Sequence, residues 1–197
     1  MQKISFNLCK VALVVRGKVN HNHIPGIMQQ HADCILPNGE PIGYFANDGA
    51  ATGGPSSASW NVIHMNKTGV VLDYRKMKRT LPQFTNEKTA KAKNILSTVL
   101  LVDVNDVEAR LFSTYWQELS QSSGSFHLLG KNCSTRASQA FIKAGILHSQ
   151  IPGIDTPNNL YEQLAKEKSR NPTSFSGYIG FSQSASPGHL DLLIDKK

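Results

Sequence analysis

Cysteine is scarce in this chain: Cys9, Cys34 and Cys133 are its only three, an odd set without a C-x-x-C pair. That argues against a disulfide framework or a structural zinc site and leaves at least one thiol free. Long hydrophobic runs are missing too. Stretches such as residues 11–15 fall far short of the roughly 20 apolar residues of a membrane span, so no transmembrane segment is expected. Acidic residues are few, 14 Asp and Glu against 21 Lys and Arg, for a net charge of +7. Such a surface favours an anionic partner: nucleic acid, anionic lipid or an acidic cell-wall polymer. Zinc-finger spacing, an RNA-recognition signature and aromatic interleaving are all lacking, so no nucleic-acid partner is expected. No small-x-small cleavage site follows the first apolar residues, so the N-terminus reads as a strand at residues 10–15 rather than a signal peptide.

What is present is ordinary globular content. Hydrophobic residues make up 40% and charged residues 18% of 197 residues, enough for one domain over residues 1–197 with its own core. The first third reads as strands and turns. Residues 31–36 and 41–47 flank Pro37-Asn38-Gly39-Glu40, whose Asn-Gly pair predicts a tight hairpin. Residues 48–58 are a loop rich in small residues, and two more strands are expected at 59–65 and 70–74. The period then changes. Helices are expected over 87–99, from Asn105 through an apolar stripe of Val107, Leu111, Tyr115 and Leu119, over 133–144 with Gly145 as its stop, and from Thr156 with Pro157 in its first turn. A last strand covers 178–181. Strands, then helices, then a strand imply an α+β fold.

The sharpest chemical feature is Gly130-Lys131-Asn132-Cys133-Ser134-Thr135-Arg136. Asn132 is a good N-cap, which sets Cys133 at the first helical position. There the free N–H groups and the helix dipole favour a thiolate, with Lys131 and Arg136 adding positive charge. The same N–H groups suit an oxyanion. A nucleophilic thiol needs a base, and seven histidines are available, of which His31 heads a strand. Arg75-Lys76-Met77-Lys78-Arg79 is the densest basic run and reads as a solvated loop face.

His31-Ala32-Asp33-Cys34-Ile35-Leu36-Pro37, then Gly43-Tyr44-Phe45, then Asn132-Cys133-Ser134-Thr135, resembles the permuted papain-like branch of the NlpC/P60 superfamily, in which the histidine strand precedes the cysteine helix. Thr156-Pro157-Asn158-Asn159-Leu160-Tyr161 is also similar to sequences in that branch, notably bacterial toxin-like effectors. The resemblance implies a permuted papain-like α+β fold, an antiparallel sheet packed against helices. It implies Cys133 as nucleophile, His31 as base, and a third polar residue from the following strand that orients the histidine. With a tight Asn38-Gly39 turn His31 faces Ala46. A one-residue bulge brings Asn47 opposite, so Asn47 is the candidate orienter and Ser59 a second. Cys9 and Cys34 are expected to be structural, buried in apolar strands.

The function expected on this basis is a cysteine hydrolase acting through an acyl-thioenzyme, with no cofactor and no metal. Its substrate would be a peptide amide of peptidoglycan or an ester of membrane lipid. Its expected context is an antibacterial or host-directed effector, secreted by a signal-peptide-independent route and met by a cognate immunity protein, with a cytoplasmic location as the alternative. The alternative function is a non-enzymatic module of the same fold that attaches to an anionic surface through residues 75–79.

Overall fold

The structure is a computed structural model and describes residues 1–26, 30–47, 67–127, 131–149 and 156–197. The strand expected at 59–65, the loop at 48–58, Ser59 and His64 lie outside the described residues.

Among the described residues nine strands form one sheet: β1 (Gln2–Ser5), β2 (Lys10–Arg16), β3 (His31–Ile35), β4 (Pro41–Ala46), β5 (Lys67–Leu72), β6 (Ser97–Asp103), β7 (Ser125–Phe126), β8 (Thr173–Gln183) and β9 (Leu190–Asp195). Their order is β1-β9-β8-β6-β2-β3-β4-β5-β7. Every pairing is antiparallel. Five α-helices accompany them: α1 (Tyr74–Thr80), α2 (Glu87–Ala92), α3 (Asp106–Gln121), α4 (Cys133–Lys143) and α5 (Pro157–Lys166). The class is α+β. No helix among the described residues is long and apolar enough to cross a membrane.

β2 sits mid-sheet, paired with β3 on one side and β6 on the other. Both its faces are covered, which explains a run of apolar residues with no polar alternation. Val11, Leu13 and Val15 pack with Phe112 and Trp116 of α3, Phe141 of α4 and Leu160 of α5. Ala12 and Val14 face the other way. There β8 changes partner at Gly177, pairing β6 before it and β9 after it. That swing carries Ile179, Phe181, Leu192 and Ile194 onto Ala12, Val14 and Val99.

Several expectations are corrected. The helix expected over 87–99 ends at Ala92, Asn94 takes a left-handed conformation (φ 52°), and Ser97–Asp103 is a strand. A strand buried on both faces and a buried helix look alike in apolar content, so periodicity alone could not separate them. In α3 the buried residues are Ala109, Phe112, Trp116 and Leu119, while Val107 and Leu111 are 54% and 45% exposed. Steps of four drift about 40° round a helix, and the large aromatic rings took the core side instead.

The basic run is not a loop. Asp73 caps it by accepting from the Lys76 N–H, and it forms α1 with Met77 buried and its cations outside. Tyr74 belongs to this helix rather than to the expected strand, and β5 begins already at Lys67. Cys9 lies in an exposed bend between β1 and β2, not in a buried strand. After the strand expected at 178–181, which runs from Thr173 to Gln183, the chain adds β9.

The hairpin matters most for the site. Gly39 N–H donates to Leu36 O (2.8 Å) and Leu36 N–H to Glu40 O (2.9 Å), so Pro37, Asn38 and Gly39 are the connection. Gly39 has φ 83°, a conformation only glycine adopts freely. The register is Asp33 opposite Gly43, which carries on to Phe45, not Ala46, opposite His31.

Candidate active site

The site forms where the start of β3 meets the start of α4. Asn132 locks the helix end: its Oδ1 accepts from Thr135 N–H (2.9 Å), Thr135 Oγ1 (3.1 Å) and Ser134 Oγ (2.9 Å). Cys133 is therefore the first helical residue, where its own N–H has no acceptor within the helix. Its sulfur accepts a hydrogen bond from Ala32 N–H at 3.5 Å. Ala32 and Cys34 face α4, and by the alternation of a strand His31 and Asp33 face the other way. His31 is the first residue of β3, next to the Ala32 N–H that holds the sulfur, and its charge and that of Cys133 act on each other.

His31 Nε2 is bonded to Asp33 Oδ1 at 2.8 Å, which leaves Nδ1 for the sulfur. The carboxylate is wholly buried, and its other oxygen accepts from Arg16 Nε at 2.8 Å. The His31 ring stacks on Phe45 (centroids 4.4 Å apart) and, beyond it, on Phe84 (5.8 Å). The imidazole side chain keeps 20% of its surface open.

The electrostatics follow from that packing. Burial alone would discharge His31, but the Cys133 thiolate and the Asp33 carboxylate outweigh it and raise the imidazole to about 10. Burial pushes the Cys133 thiol up, and the His31 charge with the bonds from His31 and Ala32 brings it below the ordinary range. Asp33 is lowered, because His31 and Arg16 together overcome its desolvation. The His31 and Cys133 shifts both favour thiolate and imidazolium over the neutral pair. Cys34, by contrast, is pushed well above the normal thiol range by burial and by Asp33.

This ion pair has a definite signature in stability. In the unfolded chain the imidazole is neutral above about pH 6.5 and the thiol protonated below about pH 8.5. Between those values both states hold one proton on the pair, on nitrogen when folded and on sulfur when unfolded, so stability does not vary with pH through it. Higher up, the unfolded thiol loses its proton while His31 keeps its own to about 10, and stability falls as pH rises. Below about pH 6.5 the unfolded imidazole gains a proton that the folded pair takes only when the depressed thiolate protonates, and stability falls as pH falls. In Cys133→Ala the thiol that ionises in the unfolded chain and the thiolate that raises His31 most are both gone, so the fall carried by the thiol above about pH 8.5 should disappear. Urea midpoints of the two proteins across this range should diverge in that pattern; parallel curves would mean that no thiolate–imidazolium pair forms.

The structure brings Cys133 and His31 together and sets Asn47 elsewhere. Asn47 follows β4, is exposed, and its backbone N–H donates to Thr68 O at 2.8 Å. The orienting position is taken by Asp33. The three-residue hairpin connection shifted the register away from the one that favoured Asn47. The missed signal lay in the strand period, since residues two apart share a face, and a carboxylate inside an apolar strand is rarely buried without a partner. Gly43 belongs to the same arrangement: a Cβ there would sit 2.5 Å from Asp33 Oδ1, so a side chain would displace the carboxylate. Nor do the expected cations charge the thiol. Lys131 is exposed, and the Arg136 guanidinium lies 5.3 Å from the Tyr44 ring centroid with Nη1 donating to Gln139. Other histidines are engaged away from the sulfur: His21 Nδ1 is bonded to Tyr161 Oη (2.7 Å), and His23 Nδ1 accepts from Val19 N–H (3.3 Å). Among the described residues no group of three His, Cys, Asp or Glu side chains is placed to hold a metal ion. Comparison with protein-family models, curated proteins and solved structures finds no match to this chain.

Proposed function

We propose that this protein is a cysteine hydrolase that opens an amide or ester through a covalent acyl-thioenzyme, on a permuted papain-like fold. One observation carries the reading: a thiol at a helix start, held by Ala32 N–H and electrostatically coupled to an imidazole that is itself held by a buried carboxylate. The chain order supports it as well, with the histidine strand inside an antiparallel sheet and ahead of the cysteine helix.

In the proposed cycle the Cys133 thiolate attacks the carbonyl carbon, and negative charge moves to the carbonyl oxygen near the Cys133 N–H at the positive end of α4. The imidazolium of His31 gives its proton to the leaving nitrogen or oxygen as the bond to carbon breaks, leaving a thioester. Neutral His31 then takes a proton from water, the hydroxide adds to the thioester, and the acid departs as the thiolate is restored. Asp33 keeps the ring oriented and steadies its charge throughout without taking the proton.

The substrates proposed are a peptide amide of peptidoglycan and an ester of membrane lipid. Both place the reacting bond on an anionic surface, and α1 suits such an encounter. Met77 anchors it against Phe45 and Phe84, which stack on His31, so its exposed Arg75, Lys76, Lys78 and Arg79 stand one layer from the site. Replacing these four cations with Gln should slow association with sacculi or anionic vesicles at low salt, while turnover of p-nitrophenyl acetate stays within about twofold. Collapse of that small-substrate turnover would put α1 in the reacting site.

The deciding experiment is alkylation of Cys133 by iodoacetamide followed by mass spectrometry, with parallel incubation on sacculi and phospholipid vesicles. Reaction well below about pH 8 and release of one product class are expected. An inert Cys133 and binding without products would instead make the chain a module that only attaches to the surface.

A further inference from the structure

A guanidinium buried without need is costly, because taking an ion out of water must be offset by well-formed bonds. Arg16 is 1% exposed. Its fork is divided between two different parts of the site. Nε donates to Asp33 Oδ2 at 2.8 Å, and Nη2 donates to the Phe84 backbone oxygen at 3.0 Å. The guanidinium carbon also stands 4.6 Å from the centroid of the Phe84 ring, which in turn stacks on His31 at 5.8 Å.

We propose that Arg16 is the positioning residue of the catalytic pair: one side chain fixes both the carboxylate that holds His31 and the aromatic wall behind the ring. The proposal rests on the hydrolase reading and deepens it. With Oδ1 given to His31 and Oδ2 to Arg16, the Asp33 carboxylate cannot rotate, so the ring nitrogen facing the sulfur is set from two residues away. The second arm of the fork ties the 3-10 turn Pro82–Phe84 to β2, which keeps Phe84 against the His31 ring. A lysine could supply the charge, but its donors radiate from a single nitrogen and cannot span the two acceptors as a rigid guanidinium fork does.

The charged groups acting on the pair are Asp33 of β3 and the two members themselves, with Arg16 of β2 acting on Asp33, while the Cys34 thiol of β3 is held protonated by burial and Asp33. The neighbouring elements present uncharged residues to it: Gly43 and Phe45 from β4, Ser97 of β6 opposite Arg16, and Phe84 from the turn. Removing the Arg16 charge therefore raises the proton affinity of Asp33, and an Asp33 less firmly ionised supports the His31 charge less, so the thiolate is lost at higher pH.

The experiment measures the iodoacetamide reactivity of Cys133 against pH, together with p-nitrophenyl acetate hydrolysis, in wild type, Arg16→Met and Arg16→Lys. In Arg16→Met the acid limb of reactivity should move up by about one pH unit or more. Arg16→Lys should hold the limb close to wild type yet lose about tenfold or more in turnover, because the ring is no longer set. Loosened packing alone would lower the unfolding midpoint of both variants without separating limb from turnover. If Arg16→Met does not fold, Arg16→Lys decides by itself. Turnover within about twofold of wild type in Arg16→Lys, or an unmoved limb in a folded Arg16→Met, overturns the role of Arg16 and leaves the hydrolase reading standing. A wild-type Cys133 unreactive below about pH 8 overturns the hydrolase reading, and this proposal with it.

Discussion

Cys133→Ala should abolish hydrolysis, by at least about 10⁴-fold, while the protein stays folded. The substitution removes one buried sulfur at the first position of α4, where the cap is made by Asn132 and not by the cysteine. What is lost is the nucleophile. Cys133→Ser should be nearly as inactive: its hydroxyl titrates so far above the thiol that neither the His31 charge nor the helix dipole can ionise it at neutral pH. His31→Ala should cost a comparable factor, since the thiolate exists because His31 is charged beside it. The double variant should lose little more than either single one, because residues that act as one unit do not lose their effects additively. Cys34→Ala removes a buried thiol from the α4 side of β3 and should soften the core while keeping turnover. Turnover of p-nitrophenyl acetate, with circular dichroism to verify folding, reads all of these. Activity surviving in Cys133→Ala but not in Cys34→Ala would assign the chemistry to the other thiol.

Asp33→Asn should damage activity and stability together. Asp33 accepts from two donors, His31 on one oxygen and Arg16 on the other, in a place closed to water. An amide has only one accepting oxygen, so an NH₂ group must face either the imidazole or the guanidinium. The Arg16 charge is left without its counter-ion, which for a buried pair costs about 3–5 kcal/mol. The ring loses the bond that fixes which nitrogen faces the sulfur, a fault that costs on the order of 10²- to 10⁴-fold in turnover. Urea unfolding and ester turnover should both register the change. Asn47→Ala, at the residue the resemblance favoured, should leave both within about twofold or 0.5 kcal/mol of wild type, as surface substitutions usually do. Equal losses in the two variants would return the orienting role to Asn47.

The elements that could be read from sequence are those whose signals are local. Asn132 before Cys133, Asn105 before α3 and Thr156-Pro157 before α5 each announce a helix start, because a side chain that accepts from the first-turn N–H groups needs nothing from the rest of the fold. Gly145, at φ 75°, marks an end for the same reason. The placement of Cys133 as a helix-start thiol was therefore legible from a few adjacent residues.

What only the tertiary structure decided depends on partners distant in the chain. Whether residues 97–103 become helix or strand was settled by β2 and β8, which pair with them on either side. Which face of α3 is buried was settled by the sheet, which receives Phe112 and Trp116. Whether Asn47 could face His31 turned on a single residue of hairpin register, and a one-residue slip changes every cross-strand partner. His31 and Asp33 shared a face in any register. That Asp33 is held ionised depends on the His31 charge beside it and on Arg16, which arrives inside the core from a neighbouring strand.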